Sequence, residues 1–147
     1  MSISLASNGT CPKVRGKVLL VEDEGSLASL VTVLAPHVDT VCTSTVAQAL
    51  QAFRRDPVID VLVSDYHLPD GTGLEILRKA SAKSPFLMGI ILTSHTDLIQ
   101  VVEARRDRKV FKIILRPFDP GRVIGWVNSA VSLSQMRRSG TIRKPGV

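Results

Sequence analysis

Five times along this chain, a short and almost purely apolar run is followed by apolar residues at helical spacing. Val18-Leu19-Leu20-Val21 opens the series, and Leu27, Leu30, Val31 and Leu34 follow it, stopped by Pro36. Val38 to Thr43 comes next, then Ser44 or Thr45 as a cap for a helix carrying Val46, Leu50 and Phe53. Val58 to Ser64 leads through Pro69-Asp70-Gly71 into Leu74, Leu77 and Ala80. Phe86 to Thr93 precedes a helix starting at Leu98 to Val102, and Val110 to Leu115 precedes Gly121 to Arg137 with Val123, Val127 and Ala130 inward. Continuous apolar strands are buried on both faces, and a strand that needs a helix to reach its neighbour is parallel to it. Right-handed crossovers then close the chain as an open, doubly wound α/β sheet of five strands and five helices.

Length and composition agree with that single domain. The chain has 147 residues, 44% apolar and 22% charged, which excludes disordered, collagen-like and disulfide-scaffold classes. No apolar run approaches the roughly 18 residues of a spanning helix, so membrane insertion is not expected. Met1 to Thr10 lacks the basic, apolar and cleavage regions of a secretory signal, and a cytoplasmic location is the default. Residues 1–15 read as a flexible leader, 16–137 as the folded domain and 138–147 as a basic flexible tail. Cys11 and Cys42 form no CxxC and read as plain thiols.

Ligands of such sheets bind at the carboxyl ends of the strands, near the switch in strand order. Strand one ends in Glu22-Asp23-Glu24, strand three in Asp65, strand four in Thr93-Ser94 and strand five in Arg116-Pro117. Singly, such residues are ordinary helix caps and β-formers. Converging at one rim, the carboxylates repel unless a divalent cation sits among them, and hard oxygen donors suit Mg2+. A hydroxyl and a cation beside them hold phosphoryl oxygens, leaving one carboxylate to attack phosphorus. That constellation makes an aspartyl phosphate.

The segments Val18 to Glu24, Val63-Ser64-Asp65-Tyr66-His67-Leu68-Pro69-Asp70-Gly71-Thr72-Gly73-Leu74, Ile91-Leu92-Thr93-Ser94 and Leu115-Arg116-Pro117-Phe118 resemble the motifs of response-regulator receiver domains. The resemblance covers about residues 16 to 137. It implies a flavodoxin-like five-stranded fold and phosphotransfer from a sensor histidine kinase or phosphotransfer protein. By resemblance, Asp65 is the phospho-acceptor. Asp23 is a direct Mg2+ ligand, with Asp65 and the backbone carbonyl of His67, while Glu22 acts through water. Thr93 is the hydroxyl that moves toward the phosphoryl group, with the small Ser94 beside it. Pro69 and Gly71 shape the loop after Asp65.

Two positions depart from that family. Its lysine before the proline is Arg116 here, which is planar and never neutral but keeps the charge, so it is expected to contact the phosphate, the alternative being a rim arginine paired with Asp65 or Asp23. Its aromatic switch on strand five aligns with Ile113, with Phe111 two residues earlier. The imidazole of His67 reads as a solvent-facing loop side chain, His37 and His95 as surface residues, and Trp126 as partly buried.

The net charge of +6 is unevenly spread: residues 105 to 147 carry eleven Lys/Arg against two Asp, and residues 1 to 104 carry a net of −3. The basic fourth-helix, fifth-strand and fifth-helix face, densest at Arg105, Arg106, Arg108 and Lys109, is expected to meet a downstream protein partner. Charge alone permits nucleic acid, but no readout motif is present and no specific DNA binding is expected. The expectation is therefore a single-domain response regulator: a switch that assists its own phosphotransfer and dephosphorylation, and not an ordinary enzyme. The competing classes are a receiver-like adaptor working without phosphate and a phosphate-binding enzyme. The latter lacks a glycine-rich loop after strand one.

Overall fold

The computed structural model describes residues 15–22, 27–94, 99, 100, 102 and 110–140, with backbone alone for 27–29. The strands are β1 (Lys17–Val21), β2 (Asp39–Thr43), β3 (Val61–Asp65), β4 (Met88–Thr93) and β5 (Val110–Leu115). They form one sheet in the order β2-β1-β3-β4-β5, and every neighbouring pair is parallel. Helices α1 (Leu27–Leu34), α2 (Val46–Arg55) and α3 (Gly73–Ser81) and a C-terminal helix (Pro120–Arg138) cover it. The strand order reverses between β1 and β3, which makes their carboxyl ends the switch point.

Alternation along the strands divides the core in two. Leu19, Val21, Leu62 and Ile91 pack with Val46, Ala49 and Phe53 of α2 and Leu74, Ile76 and Leu77 of α3. Val18, Leu20, Val63, Ile90 and Leu92 face the other way, onto Leu30 and Leu34 of α1 and Val123, Val127 and Ala130 of the C-terminal helix. The five residues of β3 are all buried, as the central strand of a two-faced sheet requires.

Several boundaries differ from the sequence reading. The third strand begins at Val61, because Val58 is 49% exposed and residues 57–60 bring the chain back to the sheet. The fourth begins at Met88, two residues later than its apolar run. Four helices are described; of the expected fourth-helix segment, residues 99, 100 and 102 are helical, with Ile99 and Val102 exposed. Arg105 to Lys109 and His95 lie outside the described residues, as do residues 1–14 and 141–147. No helix among the described residues is long and apolar enough to cross a membrane.

Strand β5 carries an irregularity that the sequence did not reveal. Its register with β4 shifts between Gly89 and Ile90, so Gly89 pairs with Val110 but Ile90 with Lys112. Around this irregularity Phe111 packs, partly buried, against the cluster under the C-terminal helix, and Ile113, also partly buried, against the α2/α3 side. Trp126, expected to be partly buried, is exposed, with 39% of its surface open to solvent. It instead covers Lys112, whose Nζ lies 4.0 Å from the ring centroid.

The far end of the sheet is closed by a buried carboxylate. Asp60, 2% exposed, accepts from the backbone N–H of Lys17 at 3.1 Å, from Ser134 Oγ at 3.1 Å and from Arg138 Nη1 at 2.7 Å. One side chain thus ties β1, the start of β3 and the last turn of the C-terminal helix together. Arg15 does similar work next door, donating to Asp39 at 2.7 Å and to carbonyls at the end of α1.

Candidate functional site

The ladder continues one step past each strand, and these extra bonds place the site. Glu22 N–H donates to the Thr43 carbonyl at 3.2 Å, Tyr66 N–H to Leu92 at 2.8 Å and Arg116 N–H to Thr93 at 2.8 Å. Val21 pairs with Ser64, Asp65 with Leu92 and Thr93 with Leu115. Glu22, Asp65, Thr93 and Arg116 therefore leave the sheet along one rim.

Charge is concentrated there and removed from water. Glu22 is 1% exposed and Asp65 8%. Arg116 Nη2 bonds Asp65 Oδ1 and lies 3.5 Å from Glu22 Oε2, so one guanidinium nitrogen serves two carboxylates. Its other side faces the Phe118 ring, 5.5 Å from the centroid. Buried carboxylates require such a partner, since burial opposes the charged form. Thr93 is 2% exposed and its hydroxyl donates to the Ser94 carbonyl at 3.2 Å.

The segment after Asp65 turns back at once. His67 pairs antiparallel with Thr72 and Leu68 with Gly71, so Pro69 and Asp70 form the tip of a tight hairpin. The His67 side chain is exposed and meets the Tyr66 ring edge-on at 4.9 Å. Thr72 then caps α3 by accepting from Glu75 N–H at 3.2 Å. Gly73 starts the helix so close to the acceptor that a Cβ there would lie 2.6 Å from the Asp65 carbonyl oxygen and 2.7 Å from Ser64 Oγ.

Asp70 has a role that sequence reasoning missed. Its carboxylate accepts from Val46 N–H at 2.7 Å and Ala47 N–H at 3.1 Å, while Thr45 Oγ1 accepts from Gln48 N–H at 3.1 Å. The first three N–H groups inside α2, which have no partner within the helix, are thus all satisfied, and Ala49 N–H makes the first bond of the helix itself, to the Thr45 carbonyl. These bonds hold the Asp70 carboxyl below its usual pKa, the Val46 N–H contributing most. A depressed folded-state pKa gives stability that is present above the unfolded value and lost as pH falls through the folded one. The difference in stability between the unmodified protein and Asp70→Asn should therefore be constant near neutrality and shrink below about pH 4. Denaturant titrations across pH check this, and a gap that persists into acid would refute it.

Of the sequence-derived site, Arg116 contacts both Glu22 and Asp65, and Thr93 and Ser94 adjoin them through the ladder. Asp23 lies outside the described residues. Among the described residues there is no cluster of three or more His, Cys, Asp or Glu suited to a metal. The donor chemistry still fits a hard divalent cation: two buried carboxylates at adjoining strand ends demand positive charge, and a guanidinium stands where it is demanded. Elsewhere, His37 is exposed and Cys42 is an exposed free thiol on edge strand β2.

A sheet of this order with acidic residues at its switch point defines a class, and comparison supplies the family. The model of the response regulator receiver domain matches residues 18–128, and this chain belongs to that family. It is 31% identical over 120 residues to the DNA-binding transcriptional regulator NtrC of Escherichia coli K12, covering 80% of this chain and 25% of that protein. It is likewise 31% identical over 115 residues to the regulatory protein LuxO of Vibrio cholerae, covering 76% of this chain and 25% of the relative. The chain thus spans about a quarter of the curated relatives it matches. A receiver domain protein from Clostridium thermocellum superimposes with TM-score 0.75 at 25% identity, over 86% of this chain and 99% of that one.

Proposed function

We propose that this receiver domain takes a phosphoryl group onto Asp65 from a histidine kinase or phosphotransfer protein in the cytoplasm, and signals through protein contacts. The observation that carries the reading is a nearly buried carboxylate at the end of the central strand that shares one cation with a second buried carboxylate. In the step proposed, an Asp65 oxygen bonds to phosphorus as the donor's P–N bond breaks and the departing imidazole takes up a proton. A magnesium ion, when bound by Asp23, Asp65 and the His67 carbonyl with Glu22 through water, would neutralise phosphoryl oxygens. Thr93 would donate its hydroxyl to a phosphoryl oxygen, giving up its bond to Ser94.

Among the described residues, part of the basic charge is already engaged within the domain. Arg116 is committed to Asp65 and Glu22, and Arg138 to Asp60. Among the described residues, Lys112, stacked on Trp126, and the exposed Arg122 offer positive charge to a protein partner on the β5 and C-terminal-helix face.

Asp65→Asn should abolish Mg2+-dependent labelling by a small-molecule phosphodonor while the fold, checked by circular dichroism, is kept. Labelling that survives, or maps to Asp70, would overturn the assignment. The Arg116 ion pair also suits an adaptor that works without phosphate. Absence of labelling in the unmodified protein would favour that second reading.

A further inference from the structure

We propose that Arg116 is a resident counter-ion which a divalent cation must displace, so that this arginine, beyond the carboxylates themselves, sets the Mg2+ affinity of the domain. The inference rests on the reading of Asp65 as a magnesium-assisted acceptor. The Glu22 side chain has no exposed surface and that of Asp65 only 12%, so water solvates them poorly, whereas the Arg116 side chain is 34% exposed and reaches them from the rim. Its backbone is pinned by the bond to Thr93 at 2.8 Å, and its guanidinium lies against Phe118. It is thereby held at the carboxylates without further ordering.

Asp65 has two carboxylate oxygens. A phosphoryl acceptor needs one to attack phosphorus and one to ligate the metal, yet the guanidinium already holds Oδ1. Three claimants for two oxygens make guanidinium and metal competitors. A guanidinium is always charged and is more weakly hydrated than an ammonium, so it gains less from returning to water when it leaves two buried carboxylates. Exchange should therefore cost more with arginine than with lysine.

The test compares the unmodified protein with Arg116→Lys and Arg116→Met, the latter removing charge while leaving a long chain against Phe118. Mg2+ affinity is read by amide NMR titration at Tyr66 to Leu68, and melting temperature is read in chelator and in saturating Mg2+. Arg116→Met should melt below the unmodified protein in chelator, close that gap in Mg2+, and bind Mg2+ about tenfold or more tightly, since one competing charge is gone. Arg116→Lys should fall between. Unchanged or weaker affinity in both variants overturns the proposal. Should Arg116→Met fold only with metal, that rescue supports it; failure of rescue together with unchanged affinity in Arg116→Lys overturns it. Phosphodonor labelling separates the two claims. Asp65 labelled with affinities unchanged removes only the counter-ion, whereas no Mg2+ binding and no labelling in any form removes the acceptor reading, and the counter-ion proposal with it.

Discussion

Asp60→Ala is expected to lower unfolding stability by about 3 kcal/mol, or roughly 10 °C in melting temperature for a chain of this size. The carboxylate is 2% exposed and takes hydrogen bonds from three parts of the chain. Its removal strands the Lys17 N–H and the Ser134 hydroxyl in a buried corner. Arg138 escapes more cheaply, because its side chain is 31% exposed and can turn to water. That places the loss toward the low end of the range for breaking a buried pair. Asp60→Asn keeps one oxygen to accept from the Lys17 N–H, while its NH2 can donate to the Ser134 hydroxyl, and it should cost about half as much. Urea denaturation decides the matter, and a loss under about 0.5 kcal/mol for the alanine variant would refute the anchoring role.

Gly73→Ala and Gly125→Ala should have opposite signs. At Gly73 the new methyl would meet a backbone oxygen at 2.6 Å and the buried Ser64 hydroxyl at 2.7 Å. Neither can swing away, since Ser64 Oγ is itself bonded to the Asp65 carbonyl at 2.8 Å. Either α3 must lift or Asp65 must shift, at a cost of about 2 kcal/mol. Phosphodonor labelling should fall with it, because displacement is borne by the acceptor's own backbone. At Gly125, in the exposed middle of the C-terminal helix, a Cβ meets nothing within 4 Å. There alanine should stabilise by about 0.5–1 kcal/mol through helix propensity and reduced unfolded-state freedom. Two substitutions of the same sign would refute the steric account of Gly73.

The five strands were legible because each is an apolar run with punctuation on both sides, as in Val18 to Val21 between Gly16-Lys17 and Glu22-Asp23. The inward faces of α3 and the C-terminal helix were legible from spacing, and Val123, Val127 and Ala130 are indeed fully buried. The rim residues Asp65, Thr93 and Arg116 were legible because a parallel sheet puts all strand ends on one edge. Asp60 was not, because it falls inside the run Val58 to Ser64, which reads as one strand and gives a lone Asp within it no role. Its meaning depends on Arg138, 78 positions away. The β5 irregularity was hidden for a related reason: Val110 to Leu115 is apolar enough to satisfy either register, and only its pairing with Gly89 decides. Asp70 looked like part of a turn and serves a helix 24 residues earlier.

Strand β3 and the residue before it carry an aspartate at each extremity, Asp60 holding the fold and Asp65 facing the rim, with four wholly enclosed side chains between them. Such separation lets one end of the molecule drift while the other is conserved in effect. Sequence change among the rim loops can retune response without touching the foundation, and change around Asp60 can alter cellular abundance without retuning response. Variants of this domain should accordingly sort into two populations, one scarce but responsive and one abundant but deaf, divided by the level of the sheet at which they fall.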